Sequence, residues 1–279
     1  MEKAVVPKQP DSSGEDRLVL VRDGNAVRRA AVVDGATSKS AKTFGEQTGG
    51  ALAAECVARV LEALPDGVGP SDALQAVTDG LAALRREWSI TPDDLLAPSA
   101  VAAVFLPEQS RIWRVGDVHV AMRRADGWEH HPADKTIDRV VSGARAALLR
   151  CRLAQGASVE ELAVDDPGRQ MVLPILKDQN VLANSATNDP LGFGVLDGRP
   201  VPGRYLEVFD IGQDVLEVVV ASDGYLWAAH SLDEAEKALA VSLAADPLRI
   251  GEHASTKALA PGARSFDDRT YLRLVRHGS

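Results

Sequence analysis

The sequence has few of the residues that would indicate a disulfide-rich, zinc-binding or membrane protein. Its 279 residues include two cysteines, Cys56 and Cys151, which show no metal-ligand spacing and are expected to be reduced residues in or near the core. No apolar run reaches the ~18 residues of a membrane-spanning helix. Residues 1–10 also lack the apolar segment of a signal peptide. We therefore expect a cytoplasmic protein with no membrane partner.

Positive charge is in deficit. Lys and Arg total 31 against 40 Asp and Glu, which gives a formal net charge of −9 and a pI of about 5.2. Such a surface argues against nucleic acid as a partner, because the phosphate backbone attracts clustered cationic side chains. The excess of carboxylates suits a site for divalent cations, although most of these residues must belong to the solvated surface.

Several catalytic motifs are missing. The chain contains neither the Gly-x-Ser-x-Gly motif of serine hydrolases nor a Gly-x-x-x-x-Gly-Lys phosphate loop. The adjacent histidines His130 and His131 lack a third metal ligand at suitable spacing and are interpreted as part of a surface loop. These absences leave the acidic residues as the main candidates for chemistry.

The hydrophobic pattern predicts one large α+β domain. Residues 1–13 are interpreted as a flexible tail, and residues 127–200 as an elaborated insert. Strands are predicted at 18–22, 26–33, 100–106, 111–115, 118–123, 205–211, 215–221 and 270–276, and helices at 45–64, 71–88, 135–155 and 231–245. Strands at both ends with helix pairs between them predict a four-layer α/β/β/α sandwich, in which helices flank two antiparallel sheets.

Acidic residues recur where predicted strands begin or end. Asp34, Asp117 and Asp223 follow strands, Asp267 precedes the last strand, and Glu15-Asp16 precedes the first strand. Carboxylates brought together at one sheet edge repel one another and need cations or protons. Hard oxygen ligands suit Mg²⁺ or Mn²⁺, and two such ions can activate water and bind a phosphoryl oxygen.

Each Asp-Gly pair taken alone is more simply a turn. Five other pairs occur, to which we assign no chemistry: 23–24, 66–67, 79–80, 126–127 and 197–198. The prediction of a metal site therefore depends on the whole set and its order.

That order resembles the type-2C, metal-dependent (PPM) protein phosphatase family over residues 14–276. Five short motifs carry the resemblance: Glu15-Asp16, Val33-Asp34-Gly35, Val115-Gly116-Asp117, Ala221-Ser222-Asp223-Gly224 and Asp267-Asp268-Arg269-Thr270. The resemblance implies a single phosphatase-like domain over residues 14–279. Its substrate would be phosphoserine or phosphothreonine in proteins, and a cognate Ser/Thr kinase would be a further partner.

The resemblance also implies a role for each matched residue. Asp34 would bridge two divalent cations, Mn²⁺ or Mg²⁺, and the Gly35 carbonyl would bind the second of them. Asp223 and Asp267 would complete the first site. A water bridging the two ions would attack phosphorus in line, without a phosphoenzyme.

Three further residues have implied roles. Glu15 and Asp16 would act mainly through metal-bound water, and Asp117 would line a third, weaker metal position together with Asp223.

The sequence departs from the family pattern near the phosphate. The family often has an arginine four residues before the Glu-Asp pair, where this chain has Asp11. Ala36 stands where some members have a histidine. Contacts to phosphate are open to replacement by nearby polar side chains, namely Arg17, Thr37, Ser38, Lys39 and Lys42.

Three functions remain open. The first is an active protein phosphatase, which the complete set of core carboxylates favours. The second is a catalytically weak or inactive relative that acts as a regulatory or binding module. Asp11 favours it, and so does the segment 34–38, which reads Asp-Gly-Ala-Thr-Ser where the family usually has Asp-Gly-x-Gly-Gly. The third is a phosphatase that acts on small phosphate monoesters.

Overall fold

A computed structural model describes residues 1–36, 43–91, 94 and 96–276. In these ranges the strands are β1 (Glu2–Val6), β2 (Arg17–Asp23), β3 (Ala26–Gly35), β4 (Ala100–Leu106), β5 (Arg111–Val115), β6 (His119–Arg124), β7 (Gly127–His131), β8 (Glu207–Asp210), β9 (Glu217–Ala221) and β10 (Arg269–Val275). The helices are α1 (Gly49–Ala63), α2 (Pro70–Glu87), α3 (Thr136–Ala154), α4 (Val159–Val164), α5 (Pro167–Asp178) and α6 (Leu232–Ala245).

The strands form two antiparallel sheets of five. Sheet I has the order β2-β3-β4-β5-β8, and sheet II has the order β1-β10-β9-β6-β7. Alternation along each strand sends one set of side chains between the sheets and the other set outward under helices. The predicted α+β fold with two antiparallel sheets is confirmed.

Three apolar layers hold the four structural layers together. Buried side chains of α1 and α2, such as Leu61 and Leu81, pack on the outer face of sheet I. Val32 and Leu272 belong to the layer between the sheets. Leu239 of α6 packs on the outer face of sheet II. The order of layers is therefore helix, sheet, sheet, helix, as predicted.

The ends of α1 are set by side chains from elsewhere in the chain. The Thr48 hydroxyl accepts from the Ala51 backbone N–H at the start of the helix, 3.2 Å away. At the other end the buried Arg29 of β3 donates to the carbonyls of Leu61, Leu64 and Pro65. Those carbonyls lie past the last intrahelical partners, so Arg29 replaces a glycine cap.

The N-terminal segment corrects one prediction. Residues 2–6 were expected to belong to a flexible tail but form β1, which pairs antiparallel with β10. Backbone hydrogen bonds to a strand that lies 263 to 271 positions further along the chain stabilise this segment. Because its alternation spans only five residues and includes two charged side chains, local composition does not reveal it.

The stretch predicted as an insert contains β7, α3, α4 and α5. β7 extends sheet II by pairing with β6, so His130 and His131 lie in an edge strand and not in a loop. α3 packs against α5 beside the open end of the two sheets. No helix in the described ranges is long and apolar enough to cross a bilayer.

Candidate active site

Strand registers bring the predicted carboxylates to one end of the sandwich. In sheet I, Arg17 pairs with Val33, which places Asp16 beside Asp34. In sheet II, β9 lies between β6 and β10, so Asp117 and Asp267 flank Asp223. Four of these aspartates, all except Asp16, line a cavity of about 570 Å³. The structure therefore brings together residues that are up to 251 positions apart in the sequence.

Glycines next to two of the aspartates allow close backbone approach. A Cβ atom on Gly35 would lie 2.5 Å from the Gly50 carbonyl oxygen at the start of α1. A Cβ atom on Gly224 would lie 1.9 Å from the carbonyl oxygen of Asp268. The glycine in each of these Asp-Gly pairs thus permits packing that any side chain would prevent.

Ser222 links the two sheets at the site. Its hydroxyl donates to Asp16 Oδ2 at 2.8 Å and accepts from the Thr270 backbone N–H at 2.8 Å. Both hydrogen bonds are buried, which fixes the Asp16 carboxylate against β9 and β10. The serine before Asp223 is therefore a structural part of the site.

Asp268 holds the chain segment before β2. Its two carboxylate oxygens accept from the backbone N–H groups of Lys8, at 2.7 Å, and of Glu15, at 3.0 Å. The Thr48 hydroxyl in turn donates to Glu15 Oε1 at 2.6 Å. This network ties Glu15 both to the start of α1 and to the segment before β10.

Burial and mutual repulsion raise the pKa of three carboxyl groups. For Asp34, burial is the larger cause, followed by the charges of Asp16 and Asp223, and its pKa lies well above the ordinary value. Burial and the charges of Asp267 and Asp117 raise the pKa of Asp223 to about 8. Burial also raises the pKa of Asp16 to about 7, although its hydrogen bond from Ser222 opposes the shift. These groups need a proton or a cation between them.

Asp267 behaves differently because two lysines contact it. Lys257 Nζ lies 2.5 Å from Asp267 Oδ2, and Lys8 Nζ lies 3.4 Å from Oδ1. Burial works against ionisation of Asp267, but Lys257 and Lys8 outweigh it and lower its pKa. Sequence reasoning missed both lysines because neither belongs to a motif or a periodic segment.

A third lysine lies on the opposite side of the cavity. Lys135 Nζ is 3.1 Å from Asp138 Oδ2 and 4.1 Å from the centre of the Phe193 ring. Burial favours its neutral form, yet the charges of Asp138 and Asp117 outweigh burial and raise the pKa of Lys135. The cavity therefore presents a fixed positive charge near Asp117.

The predicted phosphate contacts fall into two groups. The Arg17 guanidinium donates to Glu55 Oε2 of α1 at 2.7 Å and to the Asp16 carbonyl at 2.7 Å. Its charge is thus already partnered beside the site. The other predicted contacts lie outside the described residues: Thr37, Ser38, Lys39 and Lys42.

The donor set fits a divalent cation on the side of Asp34 and Asp223. Both supply hard carboxylate oxygens, they repel each other, and they line the same cavity as Asp117. Asp16 Oδ1 is buried and accepts no hydrogen bond from the described residues. As the side chains stand, no three His, Cys, Asp or Glu groups of the described chain enclose a metal position. At Asp267, Lys8 and Lys257 occupy the carboxylate oxygens that a cation would otherwise contact.

Comparison with solved structures identifies the fold. A bacterial serine phosphatase is 14% identical to this chain, with a TM-score of 0.51 over 100% of this chain and 98% of its own. The serine/threonine phosphatase Stp1 from Staphylococcus aureus is 15% identical, with a TM-score of 0.50 over 99% and 94%. No family model and no curated protein matches the sequence. The chain has the fold of the PPM-type serine/threonine phosphatases.

Proposed function

We propose that this protein is a metal-dependent phosphatase that hydrolyses phosphoserine and phosphothreonine in proteins. One observation carries the proposal: Asp34, Asp117 and Asp223 reach one cavity from both sheets, where burial and the charges of neighbouring aspartates raise the pKa of Asp34 and Asp223. A buried cluster of this kind is costly unless it serves to bind cations. The PPM-type fold supports the same function.

The acidic residues would have separate roles in holding cations and in orienting coordinated water. Asp34 and Asp223 would hold Mn²⁺ or Mg²⁺, with the Gly35 carbonyl as a further ligand. Glu15 and Asp16 would orient coordinated water from the side of sheet I. Asp117 would lie next to the cation held by Asp223. Divalent ions bound there supply a nucleophile from water and neutralise charge on the phosphoryl oxygens.

The cavity suits a phosphorylated side chain and the peptide next to it. Its volume of about 570 Å³ lies within the ordinary range for ligand sites. Lys135 and Arg249 line it and would attract a phosphate dianion. They are candidates for the positive charge that an arginine provides in the family at the position of Asp11.

A second function, a regulatory or binding module, is favoured by one observation. Two ammonium groups already neutralise Asp267, a residue that the resemblance assigns to a metal. Because these ammonium groups already balance the charge of Asp267, the site would bind divalent cations less strongly there. The same fold would then bind a phosphorylated segment without rapid hydrolysis.

Hydrolysis assays distinguish these functions. We expect the full chain with Mn²⁺ to release phosphate from a phosphothreonine peptide. Asp223→Asn should reduce the rate by more than the ~10- to 100-fold that loss of an outer-shell partner causes. Asp233→Asn, at an exposed position of α6, is the matched control. Turnover of p-nitrophenyl phosphate alone would indicate a small-molecule phosphatase, and no turnover of either substrate would favour the binding module.

A further inference from the structure

Both carboxylate oxygens of Asp267 are occupied by ammonium groups. Lys257 Nζ contacts Oδ2 at 2.5 Å, and Lys8 Nζ contacts Oδ1 at 3.4 Å. Lys8 Nζ also lies 3.1 Å from Glu15 Oε2 and 3.2 Å from Asp268 Oδ2. The Lys8 ammonium group thus contacts three carboxylates, and the Lys257 ammonium group contacts one of the three, Asp267.

Lys8 is held in this position by its backbone. Its N–H donates to Asp268 Oδ1 at 2.7 Å, and its carbonyl accepts from the Arg264 N–H at 2.9 Å. Two residues earlier, Val6 pairs with Arg269 at the end of the ladder between β1 and β10. These hydrogen bonds fix the backbone of Lys8 and of the residues before it, and so hold the Lys8 ammonium group near Asp267.

Lys257 belongs to a loop that is equally well anchored. The fully buried Arg145 of α3 donates to the carbonyls of Leu248, Arg249 and Ser255. Arg169 of α5 donates to the Thr256 carbonyl, next to Lys257, at 2.9 Å. These contacts hold the 248–257 loop in the position from which Lys257 reaches Asp267.

Among the residues that the structure describes, neither Asp34 nor Asp223 forms an ion pair with a lysine like those at Asp267. Both side chains line the cavity beside Asp267. Within the described ranges, the acidic cluster therefore has lysine ion pairs at Asp267 and none at Asp34 and Asp223.

We propose that Lys8 and Lys257 are built-in counterions that take the place of one divalent cation at Asp267, so that the site binds a single divalent ion through Asp34 and Asp223. Two ammonium groups carry the charge of one such ion. Their N–H groups also engage the oxygen lone pairs that coordination needs. This inference rests on the proposed function, since it concerns the same cation site.

Counting bound Mn²⁺ on the full chain tests the inference. Titrations followed by the electron paramagnetic resonance signal of free Mn²⁺ should give one bound ion for the wild type and two for Lys8→Met/Lys257→Met. Lys237→Met, which removes an exposed lysine paired with Asp233, should still bind one ion. In EDTA the double variant should melt at a lower temperature than the wild type, and Mn²⁺ should restore its melting temperature.

A second variant keeps the test decisive if the double variant does not fold. Asp267→Asn in the wild-type background should still bind one Mn²⁺. Asp34→Asn should weaken Mn²⁺ binding by more than ~10-fold, because loss of a mere hydrogen-bond partner of a metal ligand already costs about that much.

Two bound ions in the wild type, or loss of the single ion in Asp267→Asn, would overturn the inference and leave the proposed function standing. One bound ion in the double variant would also overturn the inference. No Mn²⁺ bound by any form would contradict both proposals.

Discussion

At the scale of single residues, Gly224 shows how tightly the site is packed. A methyl group at this position would meet the Asp268 carbonyl oxygen, which is backbone and has little freedom to move. Because Asp268 also holds the segment before β2, displacing it disturbs Glu15 and Lys8. The glycine after Asp223 thus couples the metal-binding candidates to the fold.

We therefore expect Gly224→Ala to lower the free energy of unfolding by ~1–3 kcal/mol, the cost of overpacking a close contact. Gly143→Ala is the matched control, because a Cβ on this exposed residue of α3 meets nothing within 4 Å. That variant should gain ~0.5–1 kcal/mol from higher helix propensity. Urea denaturation of both variants measures the difference, and equal stabilities would show that the contact with Asp268 is not tight.

The sequence could predict that Asp34 and Asp223 meet at one end of the sandwich, but not that Lys8 joins them. An aspartate that follows an apolar strand and precedes a glycine is a local pattern, and the pattern recurs in a fixed order. Lys8 acquires its role only when β1 pairs with β10, which brings it to a carboxylate 259 positions away. Nothing in the neighbouring sequence indicates such a contact.

At the scale of elements, Arg145 joins α3, α5 and the 248–257 loop. Its guanidinium lies 2.7 Å from Asp166, which also caps the start of α5. Three further contacts are to carbonyls of the loop. This buried side chain therefore decides how the loop with Lys257 lies against the cavity.

Arg145→Met should cost ~3–5 kcal/mol of stability, because Asp166 and three carbonyls lose their partner in a buried setting. Arg150→Met is the control from the same helix, since Arg150 is exposed and makes one hydrogen bond to the Ile250 carbonyl. It should change stability by less than ~0.5 kcal/mol. A similar loss in both variants, measured by chemical denaturation, would contradict the anchoring role of Arg145.

Glu236 attaches α6 to sheet II through charge. Its carboxylate accepts from Arg269 at 2.8 and 3.0 Å and from the Tyr225 hydroxyl at 2.6 Å. Partial burial opposes ionisation, but these partners outweigh it and lower the pKa of Glu236 below its ordinary value of 4.5. The ionised form is therefore the one that stabilises the fold.

The sign of the pH dependence follows from that shift. The stabilisation by Glu236 is present above pH 4.5 and is lost as the pH falls through the lower pKa of the folded state. Glu236→Gln should thus be less stable than the wild type at pH 7, and the difference should shrink below pH 4.5. Unfolding curves from pH 7 to pH 3 measure it, with Glu62→Gln on the exposed face of α1 as control. A difference that grows in acid would contradict the assignment.

Elements with a strong local pattern were predicted well. The strands at 100–106 and 111–115 have the predicted bounds, because apolar runs between turn residues fix both ends. The helix predicted at 231–245 is α6, and the Ser231 hydroxyl caps its start by accepting from the Glu234 backbone N–H. α2 begins at Pro70, one residue before its predicted start, because proline is well suited to the first helical position.

At the scale of the whole molecule, the site exists because two sheets end at the same place. Sheet I supplies Asp16 and Asp34, and sheet II supplies Asp117, Asp223 and Asp267. The sequence predicts the layers, since strand patterns and helix pairs alternate along the chain. The lysine ion pairs at Asp267, which the described residues do not form at Asp34 or Asp223, depend on tertiary contacts that only the structure gives.

The rate of phosphate release from a phosphothreonine peptide, measured at increasing Mn²⁺ for the wild type and for Asp34→Asn, tests the central claim most directly. Asp34 lies where both sheets meet, and burial together with its acidic neighbours raises its pKa well above the ordinary value. The wild-type rate should rise with Mn²⁺ and saturate, while Asp34→Asn stays at the rate of the uncatalysed reaction. Equal rates for the two proteins, or hydrolysis that does not depend on Mn²⁺, would contradict the account.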